Sequence, residues 1–116
     1  MAEQLSSALL MFVAHRAAEN RVYTAVQAGG FADLTLAQCR IAQRLSPAGI
    51  RVTDLAVAAQ VTKQTAGALV DELERAGYVA RVPDPVDARA RLVLLSARGD
   101  ALCALAAAEV AAIESE

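Results

Sequence analysis

Residues 61–95 read VTKQTAGALVDELERAGYVARVPDPVDARARLVLL, and a change of period inside this stretch decides the fold. Ala66, Leu69, Val70 and Leu73 recur at i, i+3, i+4 and i+7, the spacing of one buried face on an α-helix. Thr62 stands where its hydroxyl can cap the first turn, and Gly77 where the chain leaves the last. Beyond Gly77 the helical period stops. Residues 78–82 (YVARV) and 91–95 (RLVLL) are β-rich and are separated by the polar, proline-stiffened run 83–90, which predicts an antiparallel hairpin with a long tip.

Outward from this stretch the chain reads as helix on both sides. Thr53 is expected to cap a short helix over residues 54–59, joined to the helix at Thr62 by Gln60 and Val61 alone. Before the break Ser46-Pro47-Ala48-Gly49, a helix opens at Thr35 and carries Leu36, Cys39, Ile41, Ala42 and Leu45. A long first helix from about Gln4 to Ala28 carries Leu5, Leu9, Phe12, Val13, Tyr23 and Val26, and Gly29-Gly30 ends it. After the hairpin, Ser96 caps a last helix with Leu102, Leu105, Val110 and Ile113 on its stripe. The fold class that follows is mainly α with a small β-hairpin.

Composition narrows the function. A chain of 116 residues that is 56% hydrophobic supports one core, so residues 1–116 are expected to form a single domain. No stretch is long and apolar enough to suggest a membrane span, and the N-terminus lacks a leader-like pattern, which predicts a cytoplasmic protein without a membrane partner. The two cysteines, Cys39 and Cys103, lie in helical patterns without CxxC spacing. With His15 the only histidine, they make no metal site and are expected to be reduced thiols. His15 also lies far from any nucleophile signature, so neither a catalytic residue nor a cofactor is expected, and the chain does not read as an enzyme. The net charge of −2 argues against binding polyanions through bulk charge. Between Arg51 and Gly99, however, seven basic residues face six acidic ones, so the acidity sits at the two ends.

Two short helices joined by a tight turn and followed by a hairpin match the order of a winged helix-turn-helix. The text Val61-Thr62-Lys63-Gln64-Thr65, the helix end Leu73-Glu74-Arg75-Ala76-Gly77-Tyr78-Val79 and the tip Asp84-Pro85-Val86-Asp87-Ala88-Arg89-Ala90-Arg91 together resemble the MarR family of bacterial regulators. The resemblance extends to Leu34-Thr35-Leu36-Ala37-Gln38 and Leu95-Ser96-Ala97-Arg98-Gly99, nearly the whole chain. It implies a transcriptional repressor that binds an inverted-repeat operator in double-stranded DNA as a homodimer, its affinity lowered by a small-molecule effector.

On the residues themselves, Gln64 can pair with an adenine edge, and Lys63 can reach guanine acceptors or a phosphate. Thr62 and Thr65 are placed for phosphate contacts at a helix N-terminus. The resemblance makes Arg89 the arginine that enters the minor groove and Asp87 the acid that stabilises the wing. Arg81 and Arg91, on the flanking strands, are candidates for phosphate contacts. Gly67 and Ala68 leave the outward face of the helix bare, which shifts specificity toward Gln64, Lys63 and DNA shape. Within the single domain, residues 35–96 are expected to form the winged lobe, and residues 4–30 and 97–116 the dimerisation helices. The competing reading is a protein-interaction or dimerisation module that keeps the winged fold and has lost operator binding.

Overall fold

The computed structural model describes residues 2–116, with side chains from Ser6 onward. Leu5, placed on the first apolar stripe by sequence, therefore lies outside the described side chains. The elements run α1 (Ala2–Ala28), α2 (Leu36–Ala42), α3 (Val52–Ala59), α4 (Lys63–Arg75), β1 (Val79–Pro83), β2 (Arg91–Leu95) and α5 (Ala97–Glu114). Among the described residues, five helices and one two-stranded antiparallel hairpin make the chain mainly α with a β wing. It divides into two compact units: Leu34–Cys103, and the residues up to Asp33 together with Ala104–Glu116.

In the Leu34–Cys103 unit each helix end has an identifiable cause. Thr35 and Gln38 form a reciprocal capping box at α2, with bonds of 3.1 and 2.9 Å that satisfy two orphan donors. The helix stops at Ala42, short of the expected Leu45, because Arg44 and Leu45 turn their N–H groups to Ile41 and Ala42 in a tighter turn. The start of α3 also differs from expectation. Arg51, not Thr53, is its N-cap, and no side chain caps it. Ile50 pairs with Val93 beside the hairpin, so the chain leaves extended geometry directly into the helix and leaves Thr53 inside the first turn.

Between α3 and α4 the chain turns through Gln60, Val61 and Thr62, with Gln60 left-handed at φ 58°. α4 buries Ala66, Val70 and Leu73, and Leu69 is half-buried beside them. At its C-terminus Tyr78 N–H reaches the Leu73 carbonyl and Gly77 N–H reaches that of Glu74, with Gly77 at φ 84°. This paired closure needs a positive φ that glycine adopts without steric cost. β1 and β2 pair from Val79↔Leu95 to Pro83↔Arg91. Tyr78, Leu55, Leu73, Val70 and Val93 are fully enclosed, forming the core on which α4 and the wing rest.

Ser96 joins the hairpin to α5. Its hydroxyl donates to the Gly77 carbonyl at 2.5 Å and accepts the Gly99 N–H at 3.2 Å, as a capping serine should. In the other unit, α1 and the last part of α5 meet where Leu105 lies over Gly29 and where Arg21 pairs with Glu109 and Glu116. Among the described residues, no helix is long and apolar enough to cross a membrane.

Candidate nucleic-acid interface

The exposed end of α4 is built by its cap. Thr62 accepts the Thr65 N–H at 3.0 Å and its hydroxyl meets that of Thr65 at 2.9 Å, which fixes the first turn. Lys63 and Gln64 follow, both exposed, and neither has a side-chain hydrogen bond or ion pair among the described residues. Gly67 is half-buried and Ala68 exposed on the same side of the helix, and a methyl group added at Gly67 would meet open space. The opposite face is anchored. Besides its apolar contacts, Glu72 accepts a bond of 2.9 Å from the Gln38 amide of α2.

The wing tip projects from a fixed base. Asp87 accepts the Arg89 N–H at 3.1 Å, and Ala90 N–H reaches the Asp87 carbonyl at 2.9 Å. The Arg89 guanidinium lies 3.5 Å from Asp87 and its side chain is 95% exposed. Arg91 is exposed at the start of β2, and its side chain has no hydrogen bond or ion pair among the described residues.

Two findings were not legible in the sequence. Asp84 is the one buried charged residue among those described. It accepts the Val86 N–H at 2.8 Å and two bonds from Arg51 at 2.9 and 2.7 Å, tying the start of α3 to the base of the wing. The Val86 N–H first, and then the Arg51 guanidinium, hold its carboxyl below the ordinary value of 3.8, while the pair raises Arg51 above its own. An aspartate whose oxygen meets the N–H two residues on is a recognisable turn signal, but its arginine partner is too remote in sequence to be read.

The second finding concerns Arg81. The structure does not leave it beside the outward-facing cations: its guanidinium spans Asp71 and Glu74 of α4, at 2.8 Å from each, with the side chain only 19% exposed. Asp87, Arg89 and Arg91 thus gather at the wing tip and Thr62, Lys63, Gln64 and Thr65 at the start of α4, while Arg81 is withdrawn between the two elements. Among the described residues no cluster of side chains could hold a metal ion.

The MarR family model matches residues 32–90, which contain α2, α3, α4 and most of the wing. Several solved structures share the fold over almost the whole chain. FabT of Streptococcus pneumoniae, solved in complex with DNA, is 18% identical with a TM-score of 0.81, covering 99% of this chain and 80% of its own. The transcriptional regulator Tm0710 of Thermotoga maritima is 26% identical with a TM-score of 0.73, covering 97% and 78%. CouR of Rhodococcus jostii RHA1, bound to p-coumaroyl-CoA, is 25% identical with a TM-score of 0.74, covering 90% and 73%. No curated protein matches the sequence. A family match over half the chain, on the capped helix and wing described above, establishes that the protein belongs to the MarR family of DNA-binding transcription regulators.

Proposed function

We propose that the protein is a homodimeric repressor that occupies an inverted-repeat operator and releases it when a small molecule binds. Residues 35–96 act as the DNA-binding lobe of a single regulatory domain, and residues 4–30 and 97–116 as its dimerisation helices. In this reading Gln64 and Lys63 meet base edges in the major groove, and Thr62 and Thr65 meet phosphate at the start of α4. Arg89 enters the minor groove from a tip held by Asp87, and Arg91 meets the backbone.

The observation that carries this is the unpaired, exposed state of Lys63 and Gln64 at the start of a helix whose other face is anchored by buried Ala66, Val70 and Leu73. A side chain left without a partner on a rigid element is free to read one. The fold shared with DNA-bound FabT supports the docking mode, and the likeness to CouR in its ligand complex supports release by a small molecule. Footprinting on duplexes selected by the protein from a random-sequence pool tests the reading. Two protected half-sites about 10 bp apart are expected. A chain that selects no sequence while still self-associating would instead be an interaction module.

A further inference from the structure

We infer that Arg81 is a positioning residue that makes α4 compatible with DNA by neutralising the helix's own carboxylates, and is not itself a phosphate contact. The inference rests on the reading of α4 as the groove helix. Asp71 lies two helical turns after Lys63 and Gln64, along rows that pass through Gly67 and Ala68, and so continues their face of the helix. Glu74 follows one turn later. Both are substantially exposed, with side chains at 56% and 43%. Two carboxylates on that face would stand against the DNA phosphates at distances where salt screens incompletely.

One guanidinium answers both. Arg81 reaches Asp71 with one terminal nitrogen and Glu74 with the other, 2.8 Å in each case. Its planar fork fits two acceptors at once, and its own side chain is only 19% exposed between them. Because Arg81 sits on β1, the same pair of bonds ties the wing strand to α4 at a fixed offset. With its guanidinium drawn back onto α4 by two acids and its side chain mostly covered, Arg81 offers a phosphate a charge already answered within the chain.

The two roles predict different rescue patterns. Binding is measured by fluorescence anisotropy on a 40-bp duplex selected by the wild-type chain from a random pool, with thermal melts confirming that each variant folds. Arg81→Gln is expected to weaken binding about tenfold, through the unpaired carboxylates. Adding Asp71→Asn or Glu74→Gln to Arg81→Gln is expected to recover most of that loss. Adding Glu114→Gln, which changes net charge equally from the far end of α5, is expected to recover none. Arg81→Lys, which keeps the charge, is expected to retain most of the binding.

A phosphate-contact role gives another result: none of the second substitutions restores binding, and Arg81→Gln lowers the slope of log affinity against log salt by about one. That outcome overturns the inference, as does equal rescue by Glu114→Gln. If the wild-type chain binds no duplex, the DNA-binding reading beneath the inference fails first and takes the inference with it.

Discussion

Arg51 and Asp84, thirty-three residues apart, are joined by two hydrogen bonds from one guanidinium to the same carboxylate oxygen, which fixes the wing to the start of α3. The relation has a pH consequence. The folded chain holds Asp84 below its ordinary 3.8, so the unfolded chain binds its proton first as pH falls. Stability from this carboxylate is therefore complete above that value and is lost as pH drops through the lower folded one. Arg51 stays charged throughout. Asp84→Asn is expected to lower the melting temperature at pH 7 and to lose that deficit progressively as pH falls below 3.8. A deficit that stays constant from pH 7 to pH 3 would sink the assignment.

Two glycines make opposite predictions on substitution. Gly67 is in the interior of α4 with helical backbone and open space where a methyl would go, so Gly67→Ala should stabilise the chain by roughly 0.5–1 kcal/mol. Gly99 lets α5 approach the hairpin: a methyl there would collide with the Tyr78 carbonyl and lie 2.8 Å from Leu95. Gly99→Ala should cost about 1–3 kcal/mol. Chemical denaturation of the two variants checks both signs, and a shift in the same direction would contradict the packing described.

What could be read from sequence divides along the range of the interaction. The helix face of Ala66, Leu69, Val70 and Leu73, the Thr62 cap and the Gly77 closure are local, set within a few residues by period and cap chemistry, and the structure shows each of them. The cap of α3 was misassigned to Thr53 because Ile50 pairs with Val93, a contact no local signal announces. Long-range contacts also set the surroundings of Arg81. Nothing in YVARV distinguishes an arginine that faces phosphate from one folded back onto Asp71 and Glu74. Lys63, Gln64 and Arg89 were legible as exposed residues because capped helix starts and turn tips face solvent almost by construction.

The cysteines should be slow to react. Burial, and then the nearby charge of Asp100, pushes the Cys103 thiol above its ordinary 9.0, and its sulfur donates to the Ala42 carbonyl at 3.8 Å. Cys39 is buried. Little Cys103 thiolate forms at neutral pH, and the thiolate is the form that peroxide attacks. Native protein is expected to react slowly with a thiol reagent at pH 7 and fully once denatured, and peroxide is expected to leave DNA binding intact. A peroxide-triggered release abolished by Cys103→Ser would reverse this conclusion.

Base reading and backbone anchoring should separate by mutation. Gln64→Ala is expected to cost ~1–3 kcal/mol in the preference for selected over unrelated DNA, while Arg89→Ala weakens binding to both. Competition assays at fixed salt measure the ratio directly. An unchanged ratio in Gln64→Ala would remove Gln64 from the proposed reading set.

Self-association is expected from the circumference of α1. Leu9, Leu10, Met11, Phe12 and Val13 are consecutive, and their exposures run from 52% to 73%. Five successive residues at about 100° each encircle a helix completely, so no single contact stripe explains them. A helix turn that is apolar all round is stable in water only when covered on more than one side, which a second copy bringing its own terminal helices would do. Val110, 42% exposed on α5, adds apolar surface at the other end of the chain. Leu105 is a poor probe of this interface because it already packs over Gly29 within the same chain. Phe12→Glu and Leu10→Glu are better, since neither side chain is buried in the isolated chain. Sedimentation at micromolar concentration is expected to show a dimer for the wild type and a shift toward monomer for both variants, with helical content unchanged. In the proposed reading each copy binds one half-site, so the same variants should lose affinity for a full inverted repeat far more than for a single half-site. A wild-type chain that sediments as a monomer and still protects both half-sites would show that α1 serves some other partner.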